Sequence, residues 1–236
     1  MRGLAPFWIE PFDTETAFPD TSLALTEPDG LLAVGGDLSP QRLEMAYKNG
    51  IFPWFNHDQP ILWWSPNPRA VLFPSNFHES KSLKKLLRHN PFTISFDQAF
   101  DDVVAKCSHI RKDDTGTWIT NDMKRAYHEL HTRGHAHSVE AWREGKLVGG
   151  LYGVCFGKVF FGESMFSSET NASKVAFSIL VRELISWEIE LIDCQISSDH
   201  LSRFGAEDIS RKQFISLLKK YCHADPVNWM QPRAKK

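Results

Sequence analysis

After Pro91 the apolar positions of this chain change period several times, and each change predicts an element. Helical spacing predicts one helix over roughly Phe96 to Cys107 and another from an Asn121 cap to Thr132, ended by Gly134. Alternation then predicts strands at His137–Trp142, Lys146–Phe156 and Lys158–Met165. Gly145 and Gly157 fall at the two turns, so the three read as an antiparallel meander. A helix opening at Asn171 or Ser173 and running to about Trp187, a strand at Glu190–Ile196 and a helix from Ser210 to Cys222 complete the set. Upstream, Ser80 to Arg88 places Leu83, Leu86 and Leu87 on one helical face and Lys81, Lys84, Lys85 and Arg88 on the other.

The first 75 residues are different in kind. They hold 10 of the 13 prolines, together with Trp8, Trp54, Trp63 and Trp64. Proline at this density predicts turns, short helices and edge strands pinned by aromatic packing. One helix stands out: Ser39 caps it, Pro40 takes its first position, Leu43, Ala46 and Tyr47 face inward, and Asn49-Gly50 ends it. The expected architecture is α+β, with a small Pro/Trp-rich lobe over residues 1–70 and a mixed sheet layered with helices over 71–236.

Composition narrows the function classes. The 236 residues are 42% hydrophobic and 24% charged, ordinary for a globular protein with a real core. No apolar run approaches the ~18–20 residues of a membrane span, and Met1 to Glu10 lacks the apolar stretch of a signal peptide. The four cysteines are scattered, with no C-x-x-C pair, so no zinc site or disulfide framework is expected and a cytoplasmic setting is. With a net charge of −2, any nucleic acid must be met by a local patch. The Lys84, Lys85 and Arg88 stripe is one candidate, and a solvated helix face is the plainer reading.

Two strands carry a carboxylate inside an apolar run: Glu163 in Phe160 to Ser167, and Asp193 in Leu191 to Ile196. Burying an ionised group costs several kcal/mol or more unless it is paired, so both are candidate site residues. Strand alternation places Asp193 and Gln195 on a common face, either as a structural pair or as a polar pair at a cleft. Cys194, on the other face, is expected to be inert core. Gly162 before Glu163 suits close approach of a backbone or a ligand. Residues 162–166 (GESMF) lack the fifth glycine and the strand–turn–helix junction of a nucleophile elbow, which argues against a serine hydrolase. The Ser167–Lys174 connection opens a helix, and either phosphate binding or simple capping explains its residues. His128/His131 and His135/His137 have no matching acid cluster and are read as surface or internally satisfied histidines. The Trp54, Trp63 and Trp64 cluster is either a mini-core or a stacking platform for a base.

The order of meander, long helix, strand and final helix resembles the acyltransferase (GNAT-type) fold built around acetyl-coenzyme A. More specifically, the chain resembles the bacterial leucyl/phenylalanyl-tRNA–protein transferases over roughly residues 17 to 215. The matching stretches are Gly30 to Pro40, Tyr47 to Phe55, Ile61 to Pro66, Pro68 to Val71, Thr117 to Ile119, Ala126-Tyr127, Gly134 to Glu140, Gly149-Gly150, Gly162 to Ser167, Asn171 to Lys174 and Leu191 to Gln195. The resemblance implies transfer of Leu or Phe, and less well Met, from aminoacyl-tRNA to the α-amine of proteins beginning with Arg or Lys, marking them for degradation. It implies that chemistry falls on Asp193 and Gln195. The aminoacyl side chain and terminal adenosine are implied to sit among Trp54, Trp118, Tyr127, Leu151, Glu163, Ser164, Met165 and Ile192. Departures are Leu151 where the family often has Met, Arg203-Phe204 where Ser-Leu is usual, and Ile196 where Phe or Val is common.

An aminoacyl ester is already activated, so the implied reaction needs no cofactor, ATP or metal. Gln is a weak base, which suggests that Asp193 fixes the Gln195 amide or, alternatively, accepts the amine proton through water. Glu163 becomes a pocket-wall carboxylate for the donor's free amino group, and Lys84, Lys85 and Arg88 become phosphate contacts to tRNA. The protein is expected to act as a monomer away from membranes. A coenzyme-A-dependent N-acyltransferase is the competing reading, but the Ser167–Lys174 connection has no glycine for a pyrophosphate loop. A non-catalytic tRNA-binding module is the other.

Overall fold

The computed structural model describes residues 5–11, 13, 16–109, 118–225 and 229. Thr117 and the basic residues Arg233, Lys235 and Lys236 lie outside the described residues.

The Pro/Trp-rich segment builds a four-stranded sheet. Its strands are β1 (Phe7–Ile9), β2 (Leu31–Gly35), β3 (Phe52–Pro53) and β4 (Leu62–Trp64), in the order β1-β2-β4-β3. β2 and β4 are thus interior strands, where proline density predicted edges. The prolines avoid them: Pro28, Pro60 and Pro66 lie outside the strand ends, and Pro53 is on edge strand β3, so the inner ladder keeps its N–H donors. Helix α1 (Pro40–Lys48) starts as expected, the Ser39 hydroxyl accepting from the Arg42 N–H at 3.3 Å.

The second sheet has seven strands: β5 (Arg69–Leu72), β6 (Thr93–Phe96), β7 (Ala136–Arg143), β8 (Lys146–Phe156), β9 (Val159–Ser167), β10 (Leu191–Gln195) and β11 (Glu207–Ile209). Their order is β11-β5-β10-β9-β8-β7-β6. β6 to β9 form antiparallel neighbours, whereas β9 and β10 are parallel. Parallel neighbours need a crossover, supplied by α5 (Ala172–Ser186). Its first turn lies directly on β8, since a Cβ added to Gly149 would come within 2.6 Å of the Ala172 Cβ.

Helices cover both faces of this mixed sheet, as the α+β reading required. On one face α1, α3 (Phe100–His109), α4 (Asn121–Thr132) and α7 (Arg211–Tyr221) enclose a core that includes Tyr47, Val103, Tyr127, Phe161 and Phe214. The small lobe shares this core through Leu32, Ala33 and Trp63. On the other face α2 (Lys81–Arg88) and α5 pack Leu83, Val175 and Leu180 against Leu151, Phe160 and Ile192. A short helix, α6 (Asp199–Ser202), follows β10.

Most strand and helix ends fall within one or two residues of expectation, and two differences change the reading. Thr93–Phe96 is an edge strand instead of a helix start, and α3 begins only at Phe100, after Asp97 turns the chain at φ 56°. The α4 cap is Thr120, whose hydroxyl accepts from the Met123 N–H at 3.2 Å, with Asn121 the first helical residue. Among the described residues, no helix is long and apolar enough to cross a membrane.

Candidate active site

β9 and β10 pair only from Leu191–Val159 to Asp193–Phe161, after which β10 continues against β5 and β9 against β8. The carboxyl ends of parallel strands are the usual place for a crevice, and one opens here. It has a volume of ≈330 Å³. β9 contributes Gly162 to Met165, β10 and its extension contribute Ile192 to Ile196, and β8 contributes Leu151 and Tyr152. Phe52, Pro53 and Trp54 close it from the small lobe, Trp118 from the segment before α4, and Ser198, His200 and Leu201 from around α6.

Both carboxylate strands break register at the parting point. On β9, Tyr152 pairs Ser164 and Gly153 pairs Gly162, leaving Glu163 as the extra residue. Such a bulge re-aims a side chain. Glu163 turns toward α1 and α4, where its Oε1 accepts from the Tyr47 hydroxyl at 2.8 Å and its Oε2 from the Tyr127 hydroxyl at 2.6 Å. The two hydroxyls are 2.9 Å apart. Burial raises the Glu163 carboxyl to about 7, and the Tyr127 and Tyr47 hydrogen bonds only partly offset it. Burial, and then the charge of Glu163, drives both tyrosines well above their ordinary value, so they remain donors.

On β10, Asp193 pairs Val71, but Gln195 pairs Ala70 where an unbroken ladder would give Arg69. That shift corrects the common-face expectation, because neighbouring residues of β5 point to opposite faces. Asp193 faces the small lobe, where the guanidinium of Arg69 meets it twice: Nε–Oδ1 at 2.8 Å and Nη2–Oδ2 at 2.7 Å. Both side chains are 1% exposed. Arg69 also donates to the Gly50 carbonyl at 3.2 Å and lies between the Phe52 and Phe214 rings, 4.8 and 4.6 Å from their centroids. The predicted contact from Asp193 to the Gln195 amide is absent. Asp193 Oδ1 instead accepts from the Gln195 backbone N–H at 3.0 Å and holds Gln195 at φ 57°. The Gln195 Nε2 is buried on the cavity wall with no partner among the described residues, and so is the Ser164 hydroxyl. On a cavity wall, donors without a protein partner are free to bond a ligand or water.

The cavity gathers Trp54, Trp118, Leu151, Glu163, Ser164, Met165, Ile192, Asp193 and Gln195. Tyr127 stands one layer behind, holding Glu163. The tryptophan cluster divides: Trp63 is core, its Nε1 donating to the Gly35 carbonyl, while Trp54 is 44% exposed at the cavity mouth. Cys194 lines the cavity instead of lying in deep core, but burial, reinforced by Asp193, raises its thiol far from the thiolate range. Gly162 is not forced by close packing, since an added Cβ would meet only the Asp193 carbonyl at 3.6 Å and a Phe160 ring atom at 4.0 Å. Lys84, Lys85 and Arg88 are exposed on α2, apart from the cavity. The histidine pairs are internally engaged: His128 with Asp101, His131 with the Ala136 carbonyl, His137 with Asp97, and His135 against Phe156.

Sequence reading did not place Arg69 or Tyr47 at the site. Arg69 carried the signal used for the two carboxylates, a charge in an apolar run, but the run is short and hemmed by Pro68 and Pro74.

The leucyl/phenylalanyl-tRNA protein transferase family model matches residues 71–219, and the model of that family's N-terminal domain matches residues 36–67. The chain belongs to this family. It is an aminoacyltransferase by that membership. A leucyl/phenylalanyl-tRNA–protein transferase of Saccharophagus degradans is 53% identical over 93% of this chain and 89% of its own length. One from Psychromonas ingrahamii is 56% identical over 87% of each. Among solved structures, a GCN5-related N-acetyltransferase from Kribbella flavida aligns at 9% identity and TM-score 0.38, covering 72% of this chain and 61% of that one.

Proposed function

We propose that the cavity receives the aminoacylated terminal adenosine of a tRNA charged with Leu or Phe, less well Met. The α-amine of a protein beginning with Arg or Lys then attacks the ester carbonyl, and the product is marked for degradation. The observation that carries this reading is the family match over residues 71–219, combined with apolar walls around unpaired Gln195 and Ser164 donors.

A C–N bond forms as the ester C–O bond breaks, and the amine proton passes to the departing ribose oxygen. A free α-amine titrates at about 7.7–8.0, so roughly a tenth of the acceptor is neutral at pH 7. The Gln195 amide suits both ends of the attack. Its oxygen accepts from the incoming amine, while Nε2 donates to the ester oxygen as charge develops there, with Ser164 as a second donor. Asp193 is a positioning residue in this scheme. Its oxygens already accept from three N–H groups, those of Arg69 and of the Gln195 backbone, so they are poorly placed to receive a proton. Glu163 anchors the donor's free amino group. Trp54 and Trp118 flank the adenosine, and Leu151, Met165 and Ile192 hold the amino-acid side chain. Residues 1–70 act as the lobe that closes the cavity and 71–236 as the transfer domain, in a cytoplasmic monomer that requires no cofactor or metal.

The test is incubation with labelled Phe-tRNA and an Arg-starting peptide. Labelled Phe-peptide supports the proposal. Dependence on an acyl-coenzyme A, or equal binding of charged and uncharged tRNA with no product, would overturn it. The unbranched pocket should also favour Leu and Phe over Ile and Val by ~1–3 kcal/mol in competition assays. Lys84, Lys85 and Arg88 are proposed to contact tRNA phosphates. Charge reversal at Lys84 and Lys85 should weaken tRNA binding for all sequences alike and flatten its logarithmic salt slope by about 1 per cation. Unchanged affinity would return the stripe to a solvated face.

A further inference from the structure

A second groove, of ≈350 Å³, adjoins the active cavity, and His200 lines both. His78, the α2 cap Ser80, Ser82 of α2, Asn171 and Lys174 at the start of α5, and Arg203 after α6 complete its polar wall, and no carboxylate lines it. Arg182, one α5 cation away from this groove, is locked to Glu79 at 3.0 and 2.8 Å, but Lys174 and Arg203 have no ion-pair partner among the described residues. Lys174 and Arg203 also depress His200, after the larger effect of its burial, because both cations lie near the imidazole. The α5 N-terminus adds its own partial positive charge: Asn171 precedes it at φ 68° and makes no side-chain cap.

From this geometry we infer that the groove binds the phosphodiester backbone of the nucleotides preceding the aminoacylated adenosine, through Lys174 and Arg203. The inference rests on the proposed transferase reading. If the terminal nucleoside fills the first cavity, the strand leaves past His200, and the groove is the adjoining concave surface that offers unpaired positive charge without competing acid. Serine hydroxyls and two cations suit phosphate oxygens without reading bases. The site is distinct from the α2 stripe, because Lys84, Lys85 and Arg88 do not line the groove.

Three donors carrying the same amino acid separate the possibilities: aminoacyl-adenosine, which has no phosphate, an aminoacylated cytidylyl-cytidylyl-adenosine, and intact aminoacyl-tRNA. Wild-type transfer from these donors tests the transferase reading by itself. Lys174→Gln, Arg203→Gln and the double variant then test the groove. The expected result is a roughly tenfold or larger fall in kcat/KM for the two phosphate-bearing donors with the double variant, with little change for aminoacyl-adenosine. The salt slope for the trinucleotide should flatten by about 0.7 for each cation removed, and Lys174→Arg should retain it. Equal losses on all three donors, or no loss on any, would overturn the inference while leaving the transferase reading intact. A loss that follows the charge of the acceptor peptide instead of the donor's phosphates would also overturn it, and would assign the groove to the acceptor.

Discussion

Arg69→Met should destabilise the protein by about 3–5 kcal/mol and abolish most transfer, because it strands the Asp193 carboxylate in the core. Asp193 is 1% exposed, and the guanidinium of Arg69 meets both its oxygens. Asp193→Leu should cost a similar amount by leaving Arg69 unpaired between Phe52 and Phe214. The double variants are more informative, since removing both charges of a buried pair is often near neutral for stability. Arg69→Met with Asp193→Asn keeps an acceptor for the Gln195 backbone N–H. Arg69→Met with Asp193→Leu does not. Left-handed backbone costs a non-glycine residue of order 1–3 kcal/mol, and the Asp193 hydrogen bond is what holds Gln195 at φ 57°. Both doubles should therefore regain much of the denaturation midpoint. Only the Asn double should regain substantial transfer, with the Leu double roughly 100-fold slower for want of a placed Gln195. A Leu double as active as wild type would remove Asp193 from the positioning role.

How much of this was legible in the sequence depends on the range of the interaction involved. β8 emerged with its observed ends, Lys146 and Phe156, because alternation is local and Gly145 and Gly157 mark both turns with positive φ. β5, β6 and β11 escaped notice, as three- or four-residue strands carry too few positions to show a period. The two buried carboxylates were visible as charges in apolar runs, but their orientation was not. A bulge is a relation between two strands, and nothing in Glu163 or Cys194 alone announces a register shift. The failed common-face inference for Asp193 and Gln195 has that cause. Partner identity was equally hidden: Arg69 is 124 residues from Asp193, and Tyr47 is 116 from Glu163. Tyr47 read as an inward ring on α1, which is right, but its hydroxyl acts across the lobe boundary.

Glu163 should make both stability and catalysis respond to pH near neutrality, in opposite directions. Its folded value of about 7 lies above the ordinary glutamate value of 4.5, so between these the folded state holds a proton that the unfolded chain has released. Stability contributed by this group is therefore full below the unfolded value, declines as pH rises toward 7, and is flat above. The span is on the order of 3 kcal/mol. Glu163→Gln should flatten that slope in denaturant melts collected across pH 4.5–8. Transfer should instead gain from ionisation, because the proposed task of Glu163 is to hold the donor's amino group in its cationic form. The wild-type rate should thus show two rising limbs, one near 7 from Glu163 and one near the acceptor amine's value of about 7.7–8.0. Glu163→Gln should lower the rate and keep only the amine's limb. Tyr127→Phe and Tyr47→Phe supply the control. Each hydroxyl lowers the Glu163 value by hydrogen-bonding its carboxylate, Tyr127 more than Tyr47, so losing either should move the first limb to higher pH. A first limb that survives in Glu163→Gln, or stays in place in both tyrosine variants, would show that another group titrates there.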